Sequence, residues 1–70
     1  MEQLGKSVKK IERVVVTYHF ERGGVAYSIC DTENQEIVGG FSSDMAWAKS
    51  DARDAIKRDI RTMHALICEQ

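Results

Sequence analysis

Three short β-type runs precede one uninterrupted helical stretch, Asp44 to about Cys68, and this order constrains the chain more than any other feature. One helix covers only one face of a sheet. The second face of the expected sheet carries Val15, Thr17, Ala26, Ser28, Cys30 and Val38, too little charge for an ordinary solvated surface. The expectation is therefore an α+β fold in the order β-β-β-α, a three-stranded antiparallel sheet packed on one long C-terminal helix, with a free face that needs a partner.

The first run, Ile11 to Phe20, contains the β-branched stretch Val14-Val15-Val16-Thr17 and places Val14, Val16, Tyr18 and Phe20 on one apolar side. Glu21-Arg22-Gly23-Gly24 then reads as a hairpin turn, because glycine tolerates the positive φ such turns require. In the second run, Val25 to Asp31, the residues Val25, Tyr27 and Ile29 face the core and Ala26, Ser28 and Cys30 face away. A turn over Thr32-Glu33-Asn34-Gln35 follows, with Asn34 the expected left-handed residue. The third run, Glu36 to Phe41, alternates Ile37, Gly39 and Phe41 against Val38 and Gly40, its glycines marking a bulge or a close backbone approach.

Ser42 or Ser43 is the expected helix cap, with Asp44 favouring the positive N-terminal end. At 100° per residue, Met45, Ala48, Ala52, Ile56, Ile60, Met63 and Ile67 form one apolar stripe, bordered by Ala55 and Leu66. Its alanine-built first half allows a close approach to the sheet. Residues 1–10 read as a flexible N-terminal arm and 11–70 as a single domain.

A chain of 70 residues has little margin between burial and ordering entropy, so association would help it. Ten Lys+Arg against eleven Asp+Glu give a net charge of -1, which supplies no global attraction to nucleic acid and too little acidity to imitate a phosphate backbone. Two cysteines without scaffold-like density fit a reducing cytoplasm. The polar start, Met1 to Lys10, has no signal-like apolar run, so neither export nor membrane spanning is expected.

Trp47 projects about 160° to 200° from the apolar stripe and should stand outside the core. Beside Asp51, Asp54 and Arg58 it forms a candidate partner-binding set, extended by Glu21 and Arg22 of the first turn. The free sheet face, with Val15, Ala26, Cys30 and Val38, is a candidate homodimer surface, and open strand edges offer another route to pairing. Lys49, Arg53, Lys57 and Arg61 define a nucleic-acid alternative, blunted by interspersed Asp51, Asp54 and Asp59. His64 and Cys68 lie one helical turn apart in this reading, and His19 and Cys30 on strands, but no ligand spacing joins them into a metal site. No glycine-rich phosphate loop or nucleophile setting is present, so neither catalysis nor a cofactor is expected.

With GVAYSICDTENQEIVGGFSSDMAWAKSDARDAI as its second half, the layout is similar to the strand-strand-helix unit of YegP-like proteins and to HicB-type antitoxins, which pair through their sheets. It also resembles the later strands and helix of double-stranded RNA-binding domains, although Ser43, Asp44, Met45 and Ala46 replace that family's lysine-rich helix start. In size and composition the chain resembles small phage and mobile-element inhibitors, anti-CRISPR proteins among them. That resemblance implies a cytoplasmic, non-catalytic protein that docks on a bacterial defence complex; an antitoxin-like structural homodimer and an RNA binder are the alternatives.

Overall fold

The computed structural model describes residues 10–69, so nine residues of the expected arm lie outside it. Its elements are β1 (Arg13–Glu21), β2 (Gly24–Cys30), β3 (Glu36–Ser42), α1 (Met45–Arg58) and β4 (Leu66–Glu69). They form an α+β fold with one four-stranded sheet in the order β3-β2-β1-β4. β1 and β3 each run antiparallel to β2, whereas β4 runs parallel to β1. The helix is thus the crossover that a returning parallel strand requires.

Residue chemistry accounts for the turns. Gly23 takes φ +87° between Glu21 and its partner Gly24, closing the first hairpin at the expected place. In the second turn, Asn34 adopts φ 66°, as its type predicts. Asp31 organises that turn, its Oδ1 accepting from the amides of Glu33 at 2.8 Å and Gln35 at 3.0 Å.

Val14, Val16, Ile29, Ala52 and Ile56 form the core, and each is essentially inaccessible to solvent. Burying each larger aliphatic side chain contributes roughly 1.5–3 kcal/mol. Ala48 and Ala52 are fully buried, and α1 packs on β2 and β3. Tyr27 lies over Gly40, where an added Cβ would come within 2.8 Å of its Cε2.

Two sequence expectations are corrected here. First, the helix ends at Arg58 and the residues expected to continue it turn back and form β4. Asp59 leaves the helix in an extended conformation, and its Oδ1 accepts from the Arg61 amide at 2.8 Å. Thr62, buried, donates its hydroxyl to the Ile56 carbonyl at 2.7 Å, satisfying a terminal helix acceptor. Ile60 and Met63 consequently stand 60% and 45% exposed, and Ile67 reaches the core from β4. The helix cap is Asp44, which accepts from the Trp47 amide at 2.9 Å, whereas Ser42 is buried under the helix.

Second, a bulge interrupts the β2–β3 ladder: Ile29 pairs with Val38, but Cys30 pairs with Glu36. The extra residue, Ile37, shifts β3 by one position, and with a side-chain period of two this reverses its faces. Val38, Gly40 and Ser42 therefore share the helix side with Ile29, Tyr27 and Val25, while Gly39 and Phe41 lie on the outer side.

Candidate functional site

The helix flank expected to bind a partner exists as a surface. Trp47 is 60% exposed on the first turn of α1, and its backbone is fixed by the Asp44 cap. Asp54 and Arg58 form an exposed ion pair of 3.0 Å along the helix, worth about 0.2–0.5 kcal/mol. Asp51, on the same flank, accepts a 2.5 Å hydrogen bond from Ser42 and so ties the helix to β3.

Glu21 and Arg22 occupy the β1–β2 turn, at the end of the sheet where Val25 meets Ser42 and the chain enters α1. This brings both to the end of the molecule that carries Trp47. Two aromatics missed by the sequence reading are exposed toward the same end but on other surfaces, Phe20 on the β1 side where Arg53 meets Glu69 and Phe41 on the outer sheet face. Phe20, assigned to the core, is 78% exposed, and Phe41, also assigned to the core side, is 53% exposed on the outer sheet face. The Gly39-Gly40 pair serves the close approach of Tyr27 at Gly40, whereas the bulge that turns Phe41 outward lies at Ile37.

On the outer face, Cys30 and Cys68 flank Val15 from the neighbouring strands, and Ala26 lies beside Phe41. Val38, expected here, is replaced by Phe41, and β4 adds Leu66 beside Arg13. The two cysteines are free and separated by two strand spacings, roughly 9–10 Å, beyond the reach of a disulfide. Ser28 donates to Glu36 at 2.6 Å across this face.

The basic set does not form one row. Lys49, Arg53 and Lys57 share the helix flank opposite Asp51, but Arg61 lies beyond the helix and binds Asp59 at 2.6 Å. That contact raises the Arg61 pKa and holds the Asp59 carboxyl below its ordinary range. Arg53 faces Glu69 at 3.6 Å, and Glu69 accepts from the Tyr18 hydroxyl at 3.1 Å. Burial, aided by this Glu69 contact, pushes the Tyr18 phenol up to about 12. The Tyr27 phenol is also raised, by burial first and then by Asp51 and Asp54.

His64 and Cys68 are not on one helix, because the first lies in the turn and the second in β4. Among the described residues, no three His, Cys, Asp or Glu side chains converge as a cation would require. An open groove of about 370 Å³ runs between the start of β1 and the second turn, lined by Arg13, Asp31, Glu33 and Leu66 among others. Among the described residues, no helix is long and apolar enough to cross a membrane.

No protein-family model, curated protein or solved structure matches this chain.

Proposed function

We propose that this chain is a small non-catalytic module that docks on another protein through the end of the molecule bearing Trp47. The supporting observation is the 60% exposure of Trp47 on the helix flank that it shares with Asp51, Asp54 and Arg58. Large rigid side chains held outside a core gain most from burial against a partner. Glu21, Arg22, Asp54 and Arg58 supply a charged surround of both signs. Docking of this kind acts by occlusion, and the specific role proposed is inhibition of a bacterial defence complex, as in anti-CRISPR-like proteins. The site would lie in the cytoplasm of the target cell.

The test is a tagged pull-down from bacterial lysate, with and without nuclease, comparing the wild type with Trp47→Ala. A nuclease-resistant partner lost with the variant supports docking, and a Trp anchor should cost about 2 kcal/mol or more, roughly 30-fold in Kd. The variant should keep its fold, since most of the indole is already in solvent. Recovery that vanishes with nuclease would transfer the function to Lys49, Arg53 and Lys57. Unfolding of Trp47→Ala would place the indole in the core and remove the basis of the reading.

A further inference from the structure

β3 is an edge strand, and among the described residues nothing pairs with its outer row of backbone groups. Such a row is complementary to one kind of occupant, another extended strand. We propose that the occupant is β3 of a second copy, joined antiparallel about a twofold axis at Gly40, so that two four-stranded sheets become one of eight.

The composition of the edge supports self-pairing. From Val38 to Ser42 the strand reads Val-Gly-Gly-Phe-Ser, without charge, lysine or proline, so the two strands themselves bring no repulsion to the seam. The bulge at Ile37 lies just before this stretch and leaves it regular. Glu36, the one charged residue of β3, is held on the outer face by Ser28 at 2.6 Å. The opposite edge differs: β4 has only four residues, and its terminal Glu69 engages Tyr18 and Arg53.

Antiparallel pairing centred on Gly40 sets Phe41 opposite the partner's Gly39 and Val38 opposite the partner's Ser42. The parity keeps the faces continuous, with Phe41 and Gly39 outside and Val38 and Ser42 on the helix side. Aromatic rings already cover glycines twice within the chain, Tyr27 over Gly40 and Phe41 beside Gly24.

Sedimentation equilibrium of the full chain, from micromolar to near-millimolar concentration, reads the association directly. The expected result is a monomer–dimer equilibrium, with amides of 36–42 becoming more protected from hydrogen exchange as concentration rises. Gly39→Lys places an edge lysine on the outer face; its Cβ would lie 3.2 Å from the Tyr27 carbonyl and 3.3 Å from the Glu36 carboxylate, where the new amine has a partner. It should weaken the dimer at least tenfold while leaving the monomer folded. A monomer throughout, or a dimer whose β3 exchange is independent of concentration, overturns the proposal. The exchange measurement uses the wild type and decides even where Gly39→Lys fails to fold.

Discussion

Replacing Thr62 by Val tests the structural event that most alters the expected fold, the stop at Arg58. Valine keeps the shape of threonine but removes the hydroxyl that donates to the Ile56 carbonyl at 2.7 Å. Both residues are about 1% exposed, so water cannot readily replace the lost donor. The loss combines the hydrogen bond itself, about 0.5–1.5 kcal/mol, with the cost of an unsatisfied buried acceptor, about 1–3 kcal/mol for a carbonyl left with no partner. These overlap, and the added methyl returns some hydrophobic gain, giving an expected net destabilisation of about 1–2 kcal/mol. A domain of this size has roughly 4–10 kcal/mol in total. Urea denaturation should therefore show the midpoint falling by about 1 M with an unchanged slope, and the thermal midpoint falling by about 4–8 °C per kcal/mol. A midpoint within error of wild type would show that the hydroxyl does not hold the helix end. A rise in helical ellipticity at unchanged stability would refute the argument differently, by showing that residues 59–65 extend the helix once the hydroxyl is gone.

Two further predictions concern the sheet. Gly24→Ala should cost about 3 kcal/mol or more, measured by thermal melting, because its Cβ would overlap the Ser42 carbonyl oxygen and approach the Phe41 ring to 2.8 Å. Spectrophotometric titration should show Tyr18 ionising near 12 and Glu69→Gln bringing it down, while the burial contribution remains. The folded-state pKa is raised, so the associated stability is present below the ordinary value near 10 and declines as pH rises toward about 12. Unchanged ionisation in Glu69→Gln would remove Glu69 as a cause.

Most of the strand architecture was legible because it depends on local chemistry. The β-branched stretch of β1, the Arg22-Gly23 turn and the left-handed Asn34 each follow from residue type and neighbours. The end of the helix was not legible in the same way. Ile60, Met63 and Ile67 continue the apolar period of Ala48, Ala52 and Ile56, while the opposing signal is tertiary: Ile11 donates its amide to the Arg61 carbonyl at 2.7 Å, and Leu66 to Glu12 at 2.9 Å. Those contacts exist only after β1 is in place. In the candidate site, Trp47, Asp51, Asp54 and Arg58 were legible from helix geometry alone, whereas Phe41 depended on one bulged residue whose position the alternation of β3 does not specify.

The exposure of Phe20 follows from where α1 lies on the sheet. A helix about 10 Å across spans roughly two strands spaced 4.8 Å apart, so a three-stranded sheet beneath a long helix would leave little of its inner face open. When residues 66–69 leave the helical period and pair with β1, the cover shortens and the sheet to be covered widens. α1 then packs on β2 and β3, and the inner face of β1 is closed only in part: Val14 and Val16 are buried, Tyr18 leans on Glu69, and Phe20 has no cover. Phe20 lies past the reach of β4, which pairs only with Arg13 to Val16, so the hairpin end of β1 stays open. A chain this small has too little mass to cover every apolar side chain, and the exposed ones stand at both ends, Phe20, Phe41 and Trp47 toward the first hairpin and Ile60, Met63 and Leu66 beyond the helix.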